Sequence, residues 1–285
     1  YTRMRQKSVD LRKIVSTHLE RSSKKLDLQL KQLKDTEKRD KFKVYGELLN
    51  TYGYQVTEGA KSVEVPNYYT GEMLTIPLDE TLSPLDNAKK YFARYNKLKR
   101  TFEALNTQTE ETRTEMAHLQ TIQAALAIAE SEDDLAQIRD ELETYGYIRR
   151  KMNGKKKQKS KSKPFHYRSS DGFDIYVGKN NFQNDELTFK VANGNDWWFH
   201  AKGMPGSHVI VKTEGRELPD RTFEEAGRLA GYYSSGRDNE KIEIDYLQRK
   251  NVKKPNGAVA GYVIYYTNYS LTIHPDISGI EKISE

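Results

Sequence analysis

The 285-residue chain sets 47 Lys and Arg against 41 Asp and Glu, a net charge of +6, with 36% hydrophobic and 31% charged residues. That length allows two or more domains, while the apolar content is lean for a single compact globule. The absence of cysteine excludes disulfides, thiol nucleophiles and Cys-based zinc sites.

The basic start, YTRMRQKSVDLRK, has no apolar run behind it and so is not a signal peptide. Nowhere does the chain offer the roughly 18 consecutive apolar residues of a membrane span, so no membrane insertion is expected. Residue 1 is Tyr rather than Met, which reads as a fragment lacking its N-terminal part. Neither Pro nor Gly interrupts residues 1–45, and Val15, Leu19, Leu26, Leu30 and Leu33 follow a heptad seam with Ser22 at the remaining position. One long helix over about 1–50 is the economical reading. Residues 51–82, rich in Val, Thr, Tyr, Gly and Pro, read as a small β-containing cap. A second helix over about 83–145 starts at Ser83 as N-cap with Pro84 in the first turn. Its seam runs through Tyr91, Tyr95, Leu98, Phe102, Leu105, Thr109, Thr112, Met116, Leu119, Gln123 and Leu126, with a break near Ser131–Asp134 and an end near Gly146. Residues 1–148 are therefore expected to form an antiparallel coiled-coil hairpin.

Residues 149–163 carry nine Lys and Arg and no acidic residue, the composition of a basic linker. From 164 to 285, short apolar runs alternate with turn residues: 173–177, 187–191, 208–212, 241–247, 261–266 and 270–275. A helix at 222–235 intervenes, with Thr222 and Glu225 at capping-box spacing. The fold class is α+β: a helical hairpin with a β cap, followed by a compact α+β domain.

Chemistry concentrates in NDWWFHAKGMPGSHVIV, residues 195–211. Asp196, His200 and His208 invite a metal reading, but no established ligand spacing is present and structural histidines or nucleic-acid contacts are preferred. Ser207 and His208 are neighbours in a strand and face opposite ways, with no nucleophile elbow nearby. Walker A is absent. No catalytic residue, metal or cofactor is assigned, and the chain is expected to be non-enzymatic. Nucleic acid is the stronger case. Lys155, Lys156 and Lys157 with Lys159, Lys161 and Lys163 can neutralise phosphates without sequence specificity. Lys179, Asn180 and Asn181 of GKNN, Lys202 in the turn, and Lys253 and Lys254 of VKKPNG supply polar groups near strand ends. Trp197, Trp198, Phe199, Tyr265 and Tyr266 offer stacking faces where exposed. The competing reading is a solubilising Lys linker and a core tryptophan.

The strings DGFDIYVGKNNFQNDELTFKVA (171–192), DWWFHAKGMPGSHVIV (196–211), EEAGRLAGYYS (224–234) and VKKPNGAVAGYVIYY (252–266) resemble the R domain of the NFACT family. YGELLNTYGYQV and VPNYYTGEMLTIPLD resemble that family's coiled-coil and middle module, so the likeness extends over essentially the whole chain. It implies the C-terminal half of a ribosome-associated quality-control factor that binds the obstructed large ribosomal subunit and tRNA, with C-terminal alanine tailing in the full-length protein. It carries over Lys179, Asn180, Asn181, Asp185, Asp196, Trp198, His200, Pro205, Gly206, Ser207, His208, Lys254 and Pro255 as motif positions, the Pro-Gly pair for the turn. The expected location is the cytoplasm. Streptococcal members labelled fibronectin- or fibrinogen-binding imply the alternative, a surface adhesin without an anchor, with fibronectin or fibrinogen as partner.

Overall fold

The computed structural model describes residues 1–150 and 159–284, and it is α+β. The chain forms two compact units: residues 22–114, and residues 1–21 together with 115–285. These groupings cut across the sequence boundaries at 148 and 164, because the basal turns of the long helices pack with the C-terminal domain.

In the unit of residues 22–114, helix α1 (Thr2–Asp35) ends in a 3-10 turn at Thr36–Lys38 before α2 (Arg39–Tyr52). The single first helix read from the sequence is therefore broken. Buried Thr36 turns its hydroxyl onto the Leu33 carbonyl at 2.6 Å, the local competition that disturbs a helical ladder. Strands β1 (Ser62–Pro66) and β2 (Met73–Pro77) make an antiparallel hairpin whose Val65 and Ile76 pack with Phe42, Leu48, Leu49 and Tyr91. Helix α3 (Pro84–Ile128) returns from this cap, its first turn capped by the Ser83 hydroxyl accepting from the Asp86 amide.

The seam in this unit is unusually polar. Ser22, Gln29 and Thr36 of the first helical stretch are buried at heptad spacing, as are Thr109 and Thr112 of α3, and the Thr112 hydroxyl donates to Gln29 Oε1 at 2.9 Å. Leu30 is displaced to the surface, contrary to its expected seam position. A satisfied polar pair in a helical seam fixes register at some cost in stability.

In the other unit, Leu11 and Val15 of α1 pack against Leu119, Ile122 and Leu126 of α3 and Leu135, Ile138 and Leu142 of α4 (Glu132–Thr144). Ile122 is buried while Gln123, the expected seam residue, is exposed, because α4 is a second partner that widens the apolar stripe. The break before α4 falls where expected, with the Ser131 hydroxyl accepting from the Asp134 amide.

The C-terminal part is a seven-stranded antiparallel sheet. Its strands are β3 (Phe165–Arg168), β4 (Asp174–Val177), β5 (Trp197–Ala201), β6 (Val209–Val211), β7 (Ile242–Gln248), β8 (Tyr269–Ile273) and β9 (Glu281–Ile283), ordered β8-β7-β5-β6-β4-β3-β9. Two of the apolar runs, 187–191 and 261–266, do not form strands. Asn180 caps helix α5 (Asn181–Glu186), accepting from the Gln183 amide, and the chain then continues through a π-helical turn at Leu187–Val191. The second run contributes only an isolated bridge, Lys253 to Ile264. Helix α6 (Asp220–Tyr232) buries Ala226, Leu229 and Ala230 against one sheet face. Leu187, Trp198, Ile210, Leu247 and Val252 form a separate core on the other.

Candidate nucleic-acid interface

Period-two alternation sorts the WWFHA strand. Phe199 and Ala201 enter the core shared with α6, with Trp197 packed at its margin, and Trp198 enters the opposite core. Trp198 is 1% exposed, with the rings of His208, Tyr265 and His200 at 5.1, 5.2 and 5.6 Å. Neither Trp198 nor Phe199 has a face left for a base, which corrects the stacking expectation for both.

The histidines belong to the same packing. Thr188 and His208 Nδ1 are 2.8 Å apart, and His208 Nε2 lies 3.1 Å from the Gly261 carbonyl. A carbonyl only accepts, so Nε2 donates and Nδ1 of the neutral ring accepts from the threonine hydroxyl. Burial first, then the neighbouring charge of His200, holds the His208 imidazole well below its ordinary range, and burial depresses His200 too. Among the described residues no three His, Asp or Glu side chains cluster in a way that could hold a metal ion.

The folded state thus refuses protons that the unfolded chain takes up below about pH 6.5. This contribution to stability is complete above that pH, declines as pH drops below it, and is lost as pH falls through the depressed folded values. The melting midpoint, followed by circular dichroism, is expected to drop between about pH 7 and pH 5.5. His208→Gln should lower the midpoint at neutral pH and flatten that decline. Parallel pH profiles for the two proteins would sink the assignment.

The GKNN motif faces α3 and α4. Lys179 pairs with Asp134 at 3.2 Å, Asn180 donates to Gln137 at 2.7 Å, and Asn181 donates to Thr121 at 2.9 Å and to Glu141 at 2.8 Å. Asn180 and Asn181 are buried, so their expected nucleic-acid contacts give way to a helix-docking role. Asp196 is likewise internal, bound to Lys212 at 2.7 Å and to the amides of Asn193 and Thr213. Burial would raise its carboxyl, but Lys212 and the two amides outweigh that and hold it below the usual carboxylate range. Ser207 is buried, its amide donating to the Tyr233 carbonyl. A Cβ at Gly206 would meet the Ser234 side chain at 3.0 Å, closer than ordinary van der Waals contact. Lys202 stands apart, exposed and paired with Glu243 at 3.1 Å. Lys155, Lys156 and Lys157 lie outside the described residues.

The segment 252–266 is drawn against this polar centre. Lys254 pairs with Asp185 at 3.1 Å and donates to the carbonyls of Val259 and Tyr262, and the Gly261 amide donates to Asp185 at 2.8 Å. Gly261 has φ +83°, and a Cβ there would collide with Asn181 Oδ1 at 2.3 Å. Its close approach needs glycine on both counts. Tyr265 points inward and donates to Asp245 at 2.7 Å. Exposed on this segment or beside it are Lys250, Lys253, Tyr262 and Tyr266. Of these, Lys250 and Tyr262 are not singled out by the sequence, and no strand periodicity signals Tyr262, whose amide closes a turn onto the Val259 carbonyl.

Residues 1–161 match the NFACT N-terminal and middle domains, and residues 163–265 match the NFACT protein RNA binding domain. The chain belongs to the NFACT family. Among its NFACT relatives, the "Rqc2 homolog RqcH" of Streptococcus suis (strain 05ZYH33) is 39% identical over 282 residues, 99% of this chain and 50% of that protein. The "Rqc2 homolog RqcH" of Bacillus subtilis (strain 168) is 35% identical over 287 residues, 99% of this chain and 50% of that protein. The chain thus spans about half the length of these curated NFACT relatives. The C-terminal part of the fibronectin/fibrinogen-binding protein from Streptococcus suis has a similar structure, with a TM-score of 0.78 and 33% identity, covering 99% of this chain and all of that one. Among the described residues of the NFACT chain, no helix is long and apolar enough to cross a membrane.

Proposed function

We propose that this chain is the RNA-engaging part of a ribosome quality-control factor, non-enzymatic by itself, which binds the obstructed large ribosomal subunit and tRNA in the cytoplasm. Alanine tailing belongs, on this reading, to the full-length protein. One observation carries it: an NFACT RNA-binding domain at residues 163–265 within a chain related over 99% of its length to Rqc2 homologues. The exposed lysines and tyrosines of segment 250–266 supply groups of the kind that RNA binding uses.

The test is a titration of the chain with tRNA at several salt concentrations, beside co-sedimentation with large ribosomal subunits. Affinity is expected to fall steeply and log-linearly with salt, as counterions are released from neutralised phosphates. Undetectable or salt-insensitive binding counts against the proposal.

The likeness to a fibronectin/fibrinogen-binding protein favours a second reading, adhesion to matrix protein. It requires saturable fibronectin binding that survives nuclease treatment. A signal abolished by nuclease identifies RNA bridging instead.

A further inference from the structure

We propose that the exposed residues of segment 250–266, namely Tyr262 and Tyr266 with Lys253 and Lys250, bind unpaired nucleotides of RNA, an inference that rests on the RNA-binding reading above. The Lys253 amide donates to the Ile264 carbonyl and the Ile264 amide to the Lys253 carbonyl, each at 2.9 Å, which closes the segment into a hairpin. Exposure then differs between the middle of this arm and the residues on either side of it. Val263 and Tyr265 pack on the Trp198 core, while Tyr262 and Tyr266 are 51% and 87% exposed. Lys253 is bridged to Ile264, between the two tyrosines in sequence, and its exposed side chain donates to the Lys250 carbonyl at 3.1 Å.

The strip is built on an anchored backbone. Lys254, Asp185 and the Gly261 amide tie it down at one end, and the Tyr265 hydroxyl bonded to Asp245 ties it at the other. Rings presented on a fixed hairpin lose little freedom when a ligand stacks on them. The anchoring also divides the lysines. Lys254 is neutralised by Asp185, whereas Lys250 and Lys253 are exposed.

An exposed ring beside an ammonium matches a base face beside its phosphate. Duplex RNA keeps its base faces stacked and offers mainly phosphates and 2′-hydroxyls, for which two tyrosine rings have no use. Unpaired nucleotides offer both chemistries, and stacking on any base explains a strip of rings without a hydrogen-bonding readout.

The test compares the 285-residue chain with its Tyr262→Ala/Tyr266→Ala variant on two probes, an unstructured oligoadenylate and an RNA duplex of equal length. The double variant is expected to bind oligoadenylate at least about tenfold more weakly, with duplex affinity kept within about twofold. Tyr262→Phe/Tyr266→Phe should restore binding, and Lys253→Ala should weaken both probes and lower the salt slope. Both tyrosines are exposed, so the fold is expected to survive, checked by an unchanged melting midpoint. Unchanged oligoadenylate binding by the alanine variant, or equal losses on both probes, overturns the assignment while leaving RNA binding itself intact. A wild-type chain that binds neither probe overturns the RNA-binding reading and the strip with it. Loss of fibronectin binding with RNA binding intact assigns the strip to protein and overturns it as well.

Discussion

Trp198→Ala is expected to destabilise the protein by about 3–5 kcal/mol, the range for truncating a large aromatic in a packed core. The indole is 1% exposed and sits among Leu187, Ile210, Leu247 and Val252, so its removal leaves a cavity in that core. A second variant separates packing from contact with RNA. The Trp198 Nε1 is buried without a hydrogen-bond partner, and Trp198→Phe deletes that unsatisfied donor while keeping an aromatic plate in place. Its cost should be smaller than that of Trp198→Ala, because fewer buried atoms are lost and the cavity left is smaller. Urea unfolding reads both stabilities, and RNA titration of the phenylalanine variant should match the wild type. A well-folded Trp198→Phe protein with tenfold weaker RNA binding would return the tryptophan to the ligand.

Lys179→Ala ranks second and acts where the sheet domain meets the basal helices. The Asp134 side chain is 2% exposed, and Lys179, itself 15% exposed, is its cation at 3.2 Å. Burial alone would raise the Asp134 carboxyl. The Glu130 amide, the Ser162 hydroxyl and Lys179 outweigh it and hold the group below its ordinary 3.8. A carboxylate depressed in the folded state stabilises above the unfolded pKa, and that stability is lost as pH falls through the folded value. Without the ammonium, a buried charge remains with only neutral donors, a loss of about 3–5 kcal/mol. Acid unfolding should accordingly move to higher pH. Asp134→Asn added to Lys179→Ala is expected to recover part of the stability, and the double-mutant cycle should show coupling above about 0.5 kcal/mol. Additive losses, or an RNA affinity that falls while stability is kept, would make Lys179 a ligand contact instead of a clasp.

The helical seams were legible because burial at heptad spacing leaves a periodic mark, as at Val15, Leu105, Leu119 and Leu126. What periodicity missed was the polar and the tertiary. Gln29 and Thr36 occupy seam positions that hydropathy assigns to surface, because their polar atoms are satisfied by Thr112 and by the Leu33 carbonyl. The run 187–191 has strand composition but follows a helix nucleated by the Asn180 cap. Cap geometry overrides β propensity there, and the π-helical turn delivers Thr188 to His208.

The candidate site divides along the same line. Residue types alone marked Lys179–Asn181, Trp198, His208 and Lys254 as candidate nucleic-acid contacts, and the structure gives each of them a partner within the chain. Each has more polar or aromatic surface than an isolated segment can satisfy. Whether such groups meet a ligand or one another depends on elements distant in the chain. Asn181 meets Glu141, His208 meets Thr188 and Gly261, and Lys254 meets Asp185. The sequence by itself determined the fold class, the hairpin helices and a domain loaded with basic and aromatic groups, since periodicity and composition are local properties of the chain. Only the tertiary structure decided that most of the motif residues are consumed inside the protein and that Tyr262, Tyr266, Lys250 and Lys253 remain outside. Exposure is set by what packs across the sheet, and no neighbour in sequence reports that.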